Sequence, residues 1–412
     1  MNCTAKSFKL FACFILFILV LAFPLAASAK DTIRIGRVIP LSGHNAIVLK
    51  SASGPVYDLW VEEVNARGGI YVKKYGKKLP IELIQYDGKS DHGTMVKLLE
   101  KLILRDKVDF IFAPVATSQL FAAAPIANKY KYLLFGAEGG ALKLKDIIKG
   151  LPYFFAVLNF ADTQMPALAD VYKRNGIKSV AIIYIEDLHG IEYSDTLAKA
   201  LKAQGIEVKM KKSIPLGIKD LSSLLKQAKS LDVDAFVGFT YPGETILATK
   251  QSMELNINFK AFHLNVGPSF GFYPGIFGPA TQGVTGSGAW NHKTSPGAKA
   301  FVDKMVAKFG KKAPIDFWGQ LFYYASLEFF EKAIVKVGSL DQKKIRDVFA
   351  TEKFDTALGS TWFENGFLAH DAHPGEIGQW QNGVYEVISR KAKATSNMIM
   401  PKPVWPKPAP KK

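Results

Sequence analysis

From residue 32 onward, short β-branched runs alternate with amphipathic stretches, and this alternation ties the chain to repeated βα units around mostly parallel sheets. Thr32–Ile39 (TIRIGRVI), Ile81–Tyr86, Asp109–Ala113 and Tyr132–Phe135 read as strands. Between them Met95, Leu98, Leu99 and Leu102 fall at i, i+3, i+4 and i+7, which gives a helix one apolar stripe. An earlier helix begins near Ser53 and ends at Arg67-Gly68-Gly69, where glycine accepts a left-handed cap. A second series follows, with strands near Phe154–Leu158, Ser179–Ile185, Ile206–Lys211, Ala235–Phe239 and Lys260–Leu264. Leu221, Leu224, Leu225 and Ala228 stripe one of its helices, and Leu197, Ala198 and Leu201 another. One α/β architecture thus appears twice, without the close short-period repeat of a solenoid.

With 412 residues, 48% of them hydrophobic, the chain is too long for one core and rich enough to build two. Two helices are expected from Pro296 to Val337. The second carries Phe317, Trp318, Phe322, Tyr323, Tyr324, Phe329 and Phe330, an aromatic stripe that reads first as core and second as a ligand platform. After Gly338 come a short helix, a Gly-rich segment and a late strand, Val384–Ser389. The Pro/Lys-rich tail from Pro401 cannot continue a helix or a central strand and is expected to drape over the surface.

The N-terminus places Lys6 and Lys9 before an apolar stretch from Leu10 to Phe23, then Ala27-Ser28-Ala29. That pattern is a secretory signal peptide, residues 1–29, with an A-x-A cleavage site. The stretch falls short of the ~20 residues that span a bilayer, which argues against the alternative of a membrane anchor. Both cysteines, Cys3 and Cys13, lie in the leader, and neither follows the apolar stretch as a lipid-anchoring cysteine would. A freely diffusing periplasmic protein without thiols is expected. The net charge of +17 favours anionic partners, but the lysines are scattered and form no basic stripe, so nucleic acid is excluded as a partner.

No Walker loop, dinucleotide fingerprint, G-x-S-x-G elbow or C-x-x-C motif occurs, so neither cofactor nor catalysis is indicated. The nearest metal-like pattern, His370-Asp371-Ala372-His373, lies in a Gly/Pro-rich loop and reads as a solvated loop before it reads as a ligand set. More informative are the small and hydroxyl-bearing segments after strands, because open α/β sheets bind ligands at their carboxyl ends. Leu41-Ser42-Gly43-His44-Asn45 follows the first strand, Val115-Ala116-Thr117-Ser118 the third, and Gly136-Ala137-Glu138-Gly139-Gly140 the fourth. In the second series Glu186-Asp187-Leu188-His189-Gly190 and Thr240-Tyr241-Pro242-Gly243 hold the corresponding places. Taken singly, Ser42, Thr117 and Ser118 read equally well as helix caps. Taken together, the five segments point to one site between two lobes.

Ile39-Pro40-Leu41-Ser42-Gly43, Val64-Asn65-Ala66-Arg67-Gly68-Gly69-Ile70, Tyr86-Asp87-Gly88, Pro114 to Ser118, His189-Gly190 and Gly378-Gln379-Trp380-Gln381-Asn382-Gly383 together resemble the branched-chain amino acid binding proteins of ABC importers, the type I periplasmic binding proteins, from about Asp31 to Ile388. The resemblance implies an α/β fold of two Rossmann-like lobes with mostly parallel sheets and a three-crossing hinge near Leu158, Trp290 and Ile377. One lobe would comprise 30–158 and 291–376, the other 159–290 and 377–392, with 393–412 as the tail. It implies a monomer that closes around a small polar or carboxylate-bearing solute, an amino acid or another organic acid or amide, and docks on a membrane permease.

Carried onto this sequence, the resemblance makes Thr117 and Ser118 the hydroxyl-bearing run that holds a carboxylate. It sets His189, and Thr240 or Tyr241, at contacts from the second lobe, and with Ser42, Glu138, Gly139 and Gly140 from the strand-end segments these are the residues expected around the ligand. Two departures bear on the ligand: the usual threonine after the fourth strand is Gly140, with Glu138 nearby, and the acidic residue that usually meets an amino group is Val266, beside Asn265. A buried ammonium without a carboxylate is costly, so acids lacking an amino group stand beside amino acids as ligands. A sensor presenting its closed form to a signalling receptor, and an enzyme using His189 and Glu138, remain as alternative functions.

Overall fold

The structure, a computed structural model, describes residues 30–137, 139–288 and 290–406. The expected signal peptide and Glu138 lie outside them. The first lobe is organised by β1 (Ile33–Ile39), whose nearly unbroken burial is that of a strand covered on both faces. A hairpin of β2 (Ile70–Val72) and β3 (Lys77–Leu79) precedes β4 (Ile81–Asp87), and β4 and β5 (Phe110–Phe112) flank β1 in parallel, with Ile33 opposite Ile81 and Ile35 opposite Phe110. The helix His92–Leu104 starts where a side chain accepts one of its first amides, Asp91 Oδ1 taking Thr94 N at 2.7 Å, and its Met95, Leu99 and Leu102 are buried as the stripe required.

β6 (Leu134–Ala137) pairs in parallel with β7 (Phe154–Ala156). The sequence pattern placed Phe154–Leu158 at the head of the second series, whereas β7 joins the first lobe's five-stranded sheet, in the order β13-β14-β15-β7-β6. Its partners come from far along the chain, out of reach of local periodicity: β13 (Lys353–Thr356), β14 (Gly359–Glu364) and β15 (Phe367–Leu368). The helix Gln320–Val337 buries its aromatic stripe against the first lobe's strands, with Phe330 4.8 Å from both Phe110 and Phe135 and Phe329 4.8 Å from Phe354.

The second lobe holds a seven-stranded sheet. β8 (Ser179–Ile185), β9 (Glu207–Ile214), β10 (Ala235–Phe239), β11 (Ala261–Leu264) and β12 (Val284–Ser287) are parallel, and β16 (Ile377–Gln381) and β17 (Val384–Val387) close one side antiparallel, in the order β17-β16-β12-β11-β10-β8-β9. The chain passes between the first lobe's sheets and the seven-stranded sheet three times, within 157–178, 288–352 and 369–376. His370 and His373 lie in the last of these. His370 Nε2 meets Glu376 at 3.2 Å, His373 packs on Phe322 at 4.7 Å, and no metal-holding cluster of three or more His, Cys, Asp or Glu occurs among the described residues.

The tail is more tightly bound than its composition implied. Trp405 is only 5% exposed and sets its ring edge-on to Phe262 at 5.3 Å. Its Nε1 donates to Ile257 O at 2.7 Å, its backbone N donates to Asn258 Oδ1 at 2.9 Å, and Lys402 Nζ stands 3.5 Å over the ring. A large aromatic with its N–H satisfied outweighs the poor secondary-structure propensity around it. Trp405→Ala is expected to cost about 3–5 kcal/mol, read as a lower urea midpoint; an unchanged midpoint would mean that the tail contributes nothing to the second lobe.

Candidate ligand site between the lobes

On the first lobe, the helix Thr117–Lys129 begins directly after the segment that follows β5. Its cap position is Ala116, at φ +81°, a left-handed backbone that costs energy for a residue with a Cβ. Alanine has no polar side chain to offer the first-turn amides, and Thr117 is the first helical residue, so it is not the cap that the sequence alone allowed. The helix N-terminus, with its partial positive charge, therefore faces the cleft beside the Thr117 hydroxyl. Gly139 closes the same corner: a Cβ there would stand 3.0 Å from Thr117 Oγ1 and 2.9 Å from Leu144 Cδ1.

From the second lobe comes the helix Leu188–Ala203, capped by Asp187, which accepts Gly190 N at 2.8 Å. Its second residue, His189, is buried between two rings, Tyr193 at 4.4 Å and Tyr241 at 5.6 Å and 26°. The Tyr241 hydroxyl donates to Asp187 Oδ2 at 2.7 Å, and this bond holds its ring parallel to the imidazole. Burial pushes the His189 imidazole below its ordinary range, against a smaller opposing pull from Asp187, so the ring is neutral at pH 7.

Between these walls lies a cavity of about 50 Å³, room for a few waters. Thr117, Gly139 and Gly140 line it from the first lobe, His189, Tyr241, Val266 and Phe270 from the second, and Leu158 lies where the chain leaves the first. Trp318 completes it, positioned by Asp316, whose carboxylate accepts Trp318 N at 2.8 Å, Gly319 N at 2.7 Å and Ser269 Oγ at 3.0 Å. Ser269 belongs to the second lobe, so Asp316 ties the two lobes together; burial pushes its carboxyl up to about 7. The Trp318 indole N–H is buried without an acceptor among the described residues. Apart from His189, no described residue lining the cavity bears an ionisable acid or base other than the Tyr241 phenol.

A profile of the periplasmic binding protein family matches residues 32–383. The chain belongs to that family. Relatives of this periplasmic binding protein include the Leu/Ile/Val-binding protein homolog 7 of Brucella abortus, 23% identical over an alignment of 395 residues that covers 91% of this chain and 96% of that one. Similar solved structures include a solute binding protein of an ABC transporter from Rhodopseudomonas palustris in complex with 3,4-dihydroxybenzoic acid, at TM-score 0.74 and 20% identity, covering 90% of this chain and 99% of that one. Another is the branched-chain amino acid transporter substrate binding protein of Streptococcus pneumoniae in complex with isoleucine, at TM-score 0.73 and 20% identity, covering 90% and 100%. The two-lobed α/β fold read from the sequence is thus that of the type I binding proteins. Relatives and fold are those of solute-binding proteins of ABC transporters and not of enzymes. Among the described residues no helix is long and apolar enough to cross a membrane.

Of the site residues named from the sequence of this periplasmic binding protein, Thr117, Gly139, Gly140, His189 and Tyr241 come together on the cavity. Three others do not line it. Ser42 is exposed and donates to Asp87 Oδ2 at 2.7 Å, tying the loop after β1 to the end of β4. Ser118 is exposed on the helix, and Thr240 is fully buried with its hydroxyl 2.8 Å from that of Thr245. Sequence reasoning missed Asn45, Val48, Leu158, Phe270 and Trp318 as lining residues. Trp318 was visible only as part of an aromatic stripe, and it stands one residue ahead of Gly319, the cap of the helix that buries the rest.

Proposed function

We propose that the protein captures a small carboxylate-bearing solute with an uncharged apolar body, an aromatic acid before an amino acid, and delivers it to an ABC permease in the periplasm. The carrying observation is the cavity lining: apolar and aromatic walls with neutral donors, and no carboxylate among the described lining residues to meet an ammonium. The helix N-terminus at Thr117 supplies the field for the anion without the desolvation cost of a buried lysine or arginine. A few charge-assisted hydrogen bonds at roughly 1.5–3 kcal/mol each suffice for micromolar affinity, about 8 kcal/mol. The dihydroxybenzoate held by the Rhodopseudomonas protein is a ligand of this chemical kind. Because the present cavity is smaller than such a molecule, entry requires the lobes to part, pivoting near residues 158, 290 and 377, and the ligand then biases the closed state.

A thermal-shift screen of aromatic acids, aliphatic acids, amides and amino acids tests the ligand class, since a solute that binds only the folded form raises Tm. Aromatic acids are expected to give the largest shifts; larger shifts with amino acids would overturn the preference. Thr117→Val is expected to weaken binding of the best acid at least tenfold with unaltered Tm of the unliganded protein, and unchanged affinity in calorimetry would take Thr117 off the ligand. Lost uptake of that acid in a deletion strain tests delivery, while intact uptake with a lost cellular response would assign the protein to sensing.

A further inference from the structure

Among the described lining residues His189 is the one imidazole, a ring whose donor and acceptor nitrogens depend on where its proton sits, and the structure behind it bears on that choice. Asn265 follows β11 and is fully buried; its backbone N donates to Gly238 O at 2.8 Å and its O accepts Ser287 N at 3.3 Å, which pins it to the two neighbouring strands. The Ser287 hydroxyl, at the end of β12 and likewise buried, donates to Asn265 Oδ1. With its oxygen so engaged, the Asn265 amide presents Nδ2 to His189 Nε2, 2.9 Å away. An NH2 group has only protons to offer, so Nε2 must accept. A neutral ring that accepts at Nε2 carries its proton on Nδ1, and Nδ1 has no hydrogen-bond partner among the described residues.

We propose that Asn265, oriented by Ser287, is a positioning residue that locks His189 as the Nδ1–H tautomer, so that the second lobe offers the ligand a fixed neutral donor and selects solutes with an oxygen acceptor at that point. This rests on the cavity being the ligand site. Rotation of the ring is opposed on both faces by Tyr193 and Tyr241, and Asp187, the nearest carboxylate, is already occupied by the Tyr241 hydroxyl and Gly190 N. An ammonium or amidinium at the same place would meet an N–H head-on with no acceptor to receive it, and that mismatch discriminates by leaving buried donors unpaired. Selection against amines thus has two sources, the lack of a carboxylate among the described lining residues and a histidine held as donor.

Long-range 1H–15N spectra of the purified protein, with and without benzoate, read the tautomer directly. The expected result is a His189 ring with a bare Nε2 and a protonated Nδ1 at pH 7 in both states. A proton on Nε2, or on both nitrogens, would overturn the proposal. In Asn265→Ala the ring should relax to a mixture of tautomers, and the affinity for whichever acid binds best should fall about threefold to tenfold although residue 265 does not line the cavity; an unmoved tautomer there removes Asn265 from the role. If Asn265→Ala fails to fold, the parent spectrum decides alone. A locked Nδ1–H ring in a protein that binds no acid would leave the relay standing and overturn the proposed function instead.

Discussion

Placing a methyl group on Gly140 is expected to weaken ligand binding tenfold to a hundredfold, measured by calorimetry on Gly140→Ala, while the unliganded protein melts as before. A Cβ at this position would stand 2.1 Å from Tyr193 Oη and 2.9 Å from Asn159 O. Tyr193 cannot easily yield, because it is fully buried and its oxygen accepts from Gln164 Nε2 at 3.1 Å, which also donates to Asn159 O at 2.6 Å. Overpacking of this kind costs about 1–3 kcal/mol. Gly140 belongs to the first lobe and Tyr193 to the second, so the clash falls on the shut state and is relieved when the lobes separate. The whole cost then appears in affinity, at about 1.4 kcal/mol per factor of ten. Tyr193→Phe removes the nearest atom and leaves Cζ 3.2 Å away, so the double variant should regain much of the loss. Equal losses with and without the Tyr193 hydroxyl would show that the contact does not govern closure.

Gly140 also shows how far the sequence could be read. As a departure from the threonine that its family resemblance led one to expect, it looked like a missing ligand contact. In the structure a ring from the other lobe fills the space that a larger side chain would take, and the two residues are 53 positions apart, so nothing local links them. The local elements, by contrast, were legible because each is fixed by its own pattern: β1 carries the β-branched Ile33, Ile35, Val38 and Ile39, and the helix His92–Leu104 carries its stripe at the right spacing. The error at Phe154 arose because a short apolar run says that a strand exists but not which sheet receives it. Thr117 and His189 were found because small, polar residues at strand ends have a recurrent physical use. Asn265 and Ser287 were not, because they act on the site through another side chain, and their pairing exists only once β11 and β12 lie side by side.

Acid is expected to unfold the protein through its buried histidines. Burial pushes His263 down to about 3, with Nδ1 donating to Thr285 Oγ1 at 3.1 Å and Nε2 unpaired among the described residues. It pushes His373, packed on Phe322, to about 3 as well, and lowers His189 in the same direction. In the unfolded chain a histidine takes up a proton near pH 6.5, which the native His263 and His373 refuse until about pH 3, so stability is lost as pH falls from about 6.5 toward 3. Asp316 works the other way. Its folded value of about 7 against an ordinary 3.8 means that the native state keeps a proton the unfolded chain releases, and its contribution is complete below 3.8 and lost as pH rises to 7. His263 and His373 against Asp316 leave a net uptake of about one proton on unfolding between pH 6 and 4, or roughly 1.4 kcal/mol per pH unit, and His189 adds to it in the same direction. Urea unfolding at pH 6.0 and 5.0 should show that slope. Replacing His263 and His373 together with glutamine should lower it by about two protons, whereas Asp316→Asn should steepen it by one. A slope unchanged in the double histidine variant would place the acid trigger elsewhere, on the carboxylates that hydrogen bonds hold below their usual range, such as Glu376 and Glu386.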